Sequence, residues 1–149
     1  YEDLELSPEE FKESVDFMDL SARSRGITIE VNSSFSESCF FDPDLMKLVI
    51  MNFISNAIEA MNGDKGIITV DVKEDRKYAI IIINDNGVGM SEELRKNIFN
   101  PFFTTKDKGV GLGLYIVYNI IKAHGGYIEV ESIEGSGSSF NIYIRKDSL

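Results

Sequence analysis

The strongest constraint in this sequence is an apolar run that ends in a carboxylate. Residues 78–84 predict a buried strand, and Asp85 follows them directly, ahead of a Gly-Val-Gly turn at 87–89. Because side chains alternate along a strand, Asp85 falls on the same face as Ile81 and Ile83. A buried carboxylate is costly unless a donor such as the exocyclic amine of adenine meets it, and glycines let a backbone approach a ligand closely. The alternative is a hairpin turn in which Asp is only a turn former.

Composition limits the classes of protein to which the chain can belong. Its 149 residues suffice for one domain with a core, and its formal charge of −10 argues against a nucleic-acid module, although backbone amides and a few lysines can hold a nucleotide. No apolar run is long enough to span a bilayer and no signal-peptide pattern opens the chain. The only cysteine, Cys39, excludes an internal disulfide and is expected to fill apolar space rather than react. We therefore expect a cytoplasmic segment without membrane contact and, since it opens on Tyr1, a piece of a longer protein.

The periodicity of apolar residues predicts both helices and strands. Strands are predicted at 27–32, 67–73, 78–85, 127–132 and 139–145, and helices at 8–25, 43–61, 112–124 and, for one short turn, from Ser91. The later strands follow each other across short links, which is typical of antiparallel pairs. The sequence therefore predicts an α+β fold, a two-layer α/β sandwich whose mixed, mostly antiparallel sheet is covered by helices on one face.

A polar stripe interrupts the otherwise apolar helix at 43–61. Asn52, Asn56 and Glu59 are spaced four and three residues apart, so they share one side of the helix. Asparagine is a mediocre helix former, and two of them in a buried helix need a reason. Amide oxygens and a carboxylate suit a hydrated cation or phosphate groups; the alternative is a stripe that faces solvent.

The segment 91–110 is polar, ends in glycines and carries a cluster of phenylalanines. We expect a mobile flap over a site, with an ordinary connecting helix and loop as the alternative. At its end, Gly109-x-Gly111-x-Gly113 opens a helix, whose backbone amides would suit phosphate oxygens. The pattern is neither a P-loop nor a Rossmann fingerprint nor a protein-kinase glycine loop.

Taken together and in order, these motifs resemble the catalytic ATP-binding domain of sensor histidine kinases. The motifs are Asn52-x-x-x-Asn56, Asp85-x-Gly87-x-Gly89, Phe99-x-x-Phe102-Phe103, Gly109-x-Gly111-x-Gly113 and Gly135-x-Gly137. The resemblance runs from about residue 27 to 145 and extends to the wider ATPase superfamily with gyrase, the Hsp90 chaperones and MutL. It implies a mobile ATP lid, a catalytic domain over 27–149, and residues 1–26 as the helical tail of a preceding dimerisation and phosphoacceptor domain.

The resemblance also implies a role for each motif residue. Asp85 would accept the adenine amine and select ATP over GTP, and Asn56 would bind Mg²⁺, while Asn52 and Lys106 would complete the catalytic set. Gly135 and Gly137 are expected to allow a tight hairpin. The remaining nucleotide contacts are expected from Glu59, Ala60, Gly87, Gly89, Met90, Ile98, Phe103, Thr104, Thr105, Gly109, Val110, Gly111, Leu112, Gly113 and Leu114.

The implied activity is transfer of the γ-phosphate of Mg-ATP to a histidine on a separate helical domain, followed by relay to an aspartate of a response regulator. Asn52 stands where the ATP hydrolases of the superfamily carry a general-base Glu, so water would be poorly activated. Glu59 stands where many relatives carry a basic residue, and in this respect the sequence resembles the nitrogen-regulation type of kinase. His124, the only histidine, is expected to end a helix rather than accept phosphate. Homodimerisation is expected only through the helical domain; an anti-sigma-type serine kinase and a non-catalytic nucleotide-sensing module are the alternatives.

Overall fold

The computed structural model describes residues 4–61, 65–101 and 113–148. Seven strands and five helices are found in this part of the chain. In chain order they are β1 (Glu5–Leu6), α1 (Pro8–Asp16), α2 (Asp19–Arg23), β2 (Ile27–Val31), β3 (Cys39–Phe40), α3 (Pro43–Ala60), β4 (Gly66–Glu74), β5 (Tyr78–Asp85), α4 (Glu92–Asn97), α5 (Gly113–Ala123), β6 (Tyr127–Ile133) and β7 (Gly137–Arg145).

The main sheet has the strand order β2-β4-β5-β7-β6. The β4–β5, β5–β7 and β6–β7 pairs are antiparallel, as the short links predict, whereas β2 pairs with β4 in parallel. The parallel pair follows from the chain path, because α3 intervenes between the two strands and returns the chain to the same end of the sheet. The predicted α+β fold with a mixed, mostly antiparallel sheet is thus confirmed.

The core lies between the helices and one face of this sheet. Along β5 and β7, every second residue lies on that face and is buried, including Ile81, Ile83 and Ile142. Helix α3 presents a broad apolar surface to them, and its Phe53 ring lies 5.1 Å from the ring of Phe140 in β7. The side chains of β5 that alternate with these are mostly half-buried or exposed, so the helices cover one face of the sheet.

The first helix begins where the sequence predicts. Ser7 and Glu10 form a reciprocal capping box at the start of α1, and Pro8 occupies its first turn. The predicted single helix at 8–25 is instead two helices that break at Phe17 and Met18. Phe11 is fully buried, and its ring lies 4.7 Å from that of Phe35. The first helix therefore packs against residues beyond position 26, and the core is continuous across that position. The assignment of residues 1–26 to a preceding domain stays a prediction.

Cys39 is buried in β3. Burial, with a smaller contribution from the Glu74 carboxylate, raises the pKa of its thiol to about 12. Because only the thiolate is a good nucleophile, the prediction of an unreactive filler is supported. Within residues 4–61, 65–101 and 113–148, no helix is long and apolar enough to cross a membrane.

We predict that Phe11→Ala destabilises the whole domain. The ring is fully buried, and loss of a buried phenylalanine costs about 3 to 5 kcal/mol of unfolding free energy. The matched control is Phe17→Ala in the same segment, where the ring is 71% exposed and we expect a change within about 0.5 kcal/mol. Urea unfolding followed by circular dichroism measures both. Equal, small losses would show that the first helix is not part of the cooperative core.

Candidate functional site

Asp85 ends β5 on the buried face, as the alternation of the strand predicts. Its side chain is 4% exposed, and its Oδ1 accepts a hydrogen bond of 2.8 Å from the backbone N–H of Gly87. Burial raises the pKa of this carboxyl, and the backbone N–H groups of Gly87 and Ser138 act in the opposite direction. The carboxylate is therefore held in place by its own turn and is held at an electrostatic cost.

The turn after Asp85 is fastened to three other elements. The N–H of Val88 donates to the carbonyl of Ala60 at the end of α3, over 2.9 Å. The carbonyl of Val88 accepts from the N–H of Gly135 in the β6–β7 turn, over 2.6 Å. The side-chain oxygen of Asn86 accepts from the N–H of Ile67 in β4, over 2.9 Å. Each bond fixes the backbone of the turn at a different point, so the turn is rigidly positioned.

The glycines of this turn allow backbone segments to approach one another. A Cβ on Gly87 would lie 2.5 Å from the carbonyl oxygen of Ala60, and one on Gly89 would clash with the carbonyl of Ile133. Gly89 also has a φ of 70°, a conformation that favours glycine. The close approach that these glycines permit is thus to the protein's own backbone. Gly137, with a φ of 104°, lies in the same way against the carbonyl of Asp85, which adds to its predicted hairpin role.

The polar stripe of α3 meets the start of α5 at Asn52. Asn52 and Asn56 are half-buried and Glu59 is exposed. The Asn52 amide donates to the carbonyl of Leu48 over 2.8 Å, and a Cβ built on Gly113 would lie 2.7 Å from its Oδ1. The Asn52 oxygen therefore sits beside the first residue of α5, where the end of the helix carries a partial positive charge.

Several predicted site residues lie outside the part of the chain that the structure describes. Of the predicted phosphate-binding stretch, only Gly113 and Leu114 are described, as the first two residues of α5. Residues 102–110 of the predicted lid also lie outside the described residues. The residues in question are Phe103, Thr104, Thr105, Lys106, Gly109, Val110, Gly111 and Leu112.

The start of the predicted lid is described, and it flanks the turn. Ser91 caps α4 by accepting from the N–H of Leu94 over 3.2 Å, as predicted. Ile98 directly follows α4 and is buried, while Met90 is half-buried; both belong to or pack against the core. These are the two predicted base-contacting side chains, and the structure places them on either side of α4.

Two serines near Asp85 were missed in the sequence. Ser138 is buried and lies directly opposite Asp85 in the β5–β7 register, and Ser132 lies opposite Ser138 in β6. Ser138 is in phase with the apolar residues Phe140 and Ile142, so its inward position was readable from the period of the strand. Ser132 gives no comparable signal, because polar residues are common where hairpins turn.

Two chemically different half-sites lie along the second half of α3, one at its last residue and one at Asn52 in the middle of the helix. Ala60 contacts the turn after Asp85, and Asn52 contacts the start of α5. A rise of 1.5 Å per residue puts these two positions about 12 Å apart along the helix axis. One half-site offers a buried carboxylate, and the other offers amide oxygens beside a helix N-terminus. An elongated ligand with an amine at one end and anionic groups at the other end fits this arrangement.

His124 follows α5 and is buried. Its ring stacks on Phe41 with centroids 3.9 Å apart, Nδ1 lies 2.7 Å from the carbonyl oxygen of Ile120, and Nε2 accepts from the N–H of Asp42 over 3.3 Å. Both ring nitrogens are thus engaged, which supports the expected role as a helix-end residue.

Residues 41–148 match the family described as histidine kinase-, DNA gyrase B- and HSP90-like ATPase. The chain is similar to the sensor histidine kinase ZraS of Salmonella typhi, with 41% identity over 133 residues that cover 88% of this chain and 28% of ZraS. It is also similar to sporulation kinase C of Bacillus subtilis, with 37% identity over 135 residues that cover 89% of this chain and 31% of that kinase. The chain thus spans about three tenths of the length of these relatives.

Solved structures show the same fold. The nucleotide-free catalytic domain of the histidine kinase ThkA matches with a TM-score of 0.83 and 32% identity, covering 95% of this chain and 94% of that one. The mycobacterial sensor histidine kinase MprB matches with a TM-score of 0.82 over 97% of this chain and 98% of its own, at 22% identity, and so supports the fold alone.

We predict a distinctive pH dependence of stability for Asp85. Because burial raises its pKa above 3.8, the stability that protonation contributes is fully present below that pH and is lost as the pH rises through the folded-state pKa. Asp85→Asn keeps the acceptor for Gly87 and does not titrate. The unfolding free energy of this variant, relative to the original chain, should therefore increase as the pH rises above 3.8 and then level off. Urea unfolding over a pH series measures the difference; an advantage that grows toward low pH would contradict the assignment.

Proposed function

Because the chain belongs to the family of histidine kinase-, DNA gyrase B- and HSP90-like ATPases, we propose that it is the ATP-binding catalytic domain of a two-component sensor histidine kinase. The domain donates the γ-phosphate of Mg-ATP to a histidine on its own helical dimerisation and phosphotransfer domain. That phosphate then passes to an aspartate in the receiver domain of a response regulator. The similarity to the ThkA catalytic domain and to curated kinases supports this assignment over other members of the superfamily.

The observation that carries the proposal is the buried carboxylate of Asp85. Its charged form loses solvation in the sheet, and the backbone N–H groups of Gly87 and Ser138 offset only part of that loss. A donor from a ligand would offset more, and the 6-amino group of adenine is such a donor. Met90 and Ile98 supply apolar surface near the turn for the purine ring. A 6-oxo purine would turn an acceptor toward the carboxylate, which accounts for selection of ATP over GTP.

We place the phosphates beside the middle of α3, where Asn52 lies next to the start of α5. The first turn of α5, at Gly113 and Leu114, offers backbone N–H groups and the positive end of the helix. Mg²⁺ takes oxygen ligands and usually keeps several waters beside substrate phosphates, so one amide oxygen from Asn56 suits it. Asn52 and the exposed Glu59 flank that position. Roles for Lys106 and for the glycines that precede α5 stay predictions.

Asn52 favours phosphate transfer over hydrolysis. An amide cannot take a proton from water at neutral pH, and here the Asn52 amide nitrogen is committed to the carbonyl of Leu48. Water near the γ-phosphate is therefore poorly activated, and the phosphoryl group is retained for the histidine. The domain contributes positioning and charge neutralisation, which are the main protein contributions to phosphoryl transfer.

Labelled ATP tests the proposal. We expect the isolated domain to bind ATP without acquiring label, and the full-length protein to acquire acid-labile, alkali-stable phosphate. Asp85→Asn should suppress labelling of the full-length protein, since a lost hydrogen bond to a charged group weakens ATP binding roughly 10- to 150-fold. Asp71→Asn is the matched control, because Asp71 pairs with Ile82 in the β4–β5 ladder, whereas Asp85 pairs with Ile68 at one end of that ladder.

The alternatives give different results in the same assay. Acid-stable label on a protein partner would indicate the serine kinase, and ATP binding without label in the full-length protein would indicate a nucleotide-sensing module. Label on His124 in the isolated domain would contradict the assignment of the phosphoacceptor to a separate domain. A cytoplasmic location follows from the need for ATP and a response regulator and belongs to the proposal.

Asn56→Ala should weaken ATP binding mainly when magnesium is present. Removal of a ligand oxygen should cost about tenfold or more in the magnesium-dependent affinity and little in EDTA. Asn119→Ala is the control, since Asn119 is exposed on α5 and its amide donates to the carbonyl of Tyr115 in the same helix. Calorimetry with and without Mg²⁺ gives both affinities. An equal loss in the two conditions would remove Asn56 from the metal site.

A further inference from the structure

Asp85 is part of a row of residues that runs straight across the main sheet. In the strand registers, Ile29 faces Ile68, Ile68 faces Asp85, Asp85 faces Ser138 and Ser138 faces Ser132. The first two positions are apolar and the last three are polar. The polar half of the row lies under the turn that contains Met90, at the half-site assigned to the base.

Ser132 is the most heavily bonded side chain of this row. Its Oγ accepts from the N–H of Met90 over 2.8 Å, lies 3.1 Å from the carbonyl oxygen of Gly137 and lies 2.8 Å from the Oγ of Ser138. A serine hydroxyl has one proton to donate and two lone pairs to accept with. Only one arrangement makes all three contacts hydrogen bonds: Ser132 donates to Gly137 and accepts from both Met90 and Ser138.

This arrangement fixes the polarity of Ser138. Its proton points to Ser132, so the rest of its hydroxyl presents only lone pairs on the side that faces Asp85. The polar end of the row therefore consists of acceptors, a carboxylate and a hydroxyl oxygen. Such a surface suits an amino group with two N–H bonds and disfavours a carbonyl.

We propose that Ser132 is a positioning residue for adenine recognition: it holds the backbone of Met90 over the base site and keeps the hydroxyl of Ser138 an acceptor beside Asp85. This inference rests on the proposed nucleotide site, and Ser132 itself does not touch the base. Without its hydroxyl, Ser138 is free to turn its proton toward Asp85, and the N–H of Met90 loses its acceptor. The first change reduces the preference for a 6-amino purine, and the second loosens Met90 against any purine.

The experiment compares ADP with its analogue that has an unsubstituted purine, lacking the 6-amino group, by calorimetry on the isolated domain. We expect Ser132→Ala to lower ADP affinity about three- to tenfold and to lower analogue affinity less, so that the ADP-to-analogue ratio falls. A purely structural role would weaken both ligands equally. Ser132→Thr keeps the hydroxyl and should retain the ratio. Ser138→Ala should lower the ratio, and the double variant Ser132→Ala/Ser138→Ala should show no further decrease.

Ser139→Ala is the matched control. Ser139 is next to Ser138 but on the other face of β7, where its Oγ donates to Asn141. An unchanged ratio in Ser132→Ala, with the original chain still preferring ADP, would overturn this inference and leave the proposed function standing. No preference for ADP in the original chain would overturn the adenine site itself. Thermal unfolding of each variant checks its fold, and if Ser132→Ala does not fold, Ser138→Ala and Ser132→Thr decide the result.

Discussion

The desolvated carboxylate at the end of β5 is the constraint around which the site is built. An apolar side chain at that position would continue the row of Ile29 and Ile68 and would stabilise the sheet without any electrostatic cost. The chain instead places Asp85 there and raises its pKa by burial. Groups whose pKa is shifted by burial in this way cluster at functional sites, because the cost is recovered when a ligand binds. The backbone N–H groups of Gly87 in the turn and of Ser138 in the hairpin hold Asp85 in one position.

Helix α3 joins the two half-sites into one rigid unit. Its last residue, Ala60, accepts the N–H of Val88, and the amide oxygen of Asn52 lies beside Gly113. Because the helix between these contacts is buried against the sheet, the separation between the base site and the start of α5 cannot change without breaking the core. The proposed nucleotide therefore meets a fixed separation between the base site and the start of α5.

The sequence predicted features that depend on short-range periodicity and failed where pairing is non-local. The inward position of Asp85 followed from the alternation of β5, and the start of α1 followed from the cap at Ser7. The parallel pairing of β2 with β4 has no local signature, and β1 and β3 have two residues each, too few for a pattern. The break between α1 and α2 has neither Gly nor Pro to mark it. Ser132 was not predicted because its importance comes from partners on two other segments, the turn at Met90 and the start of β7.

The bonds of His124 make this residue unsuited to accept phosphate. The N–H of Asp42 can only donate, so Nε2 of His124 must be the acceptor and its lone pair is occupied. Nδ1 must then carry the proton, which it donates to the carbonyl of Ile120. A histidine attacks phosphorus through a free nitrogen lone pair, and this ring has none to offer. The same bonds tie the end of α5 to the first turn of α3, so release of the ring would loosen the two helices that frame the phosphate half-site. Use of the only histidine for packing therefore makes an acceptor from outside the domain a structural requirement of the proposed phosphotransfer.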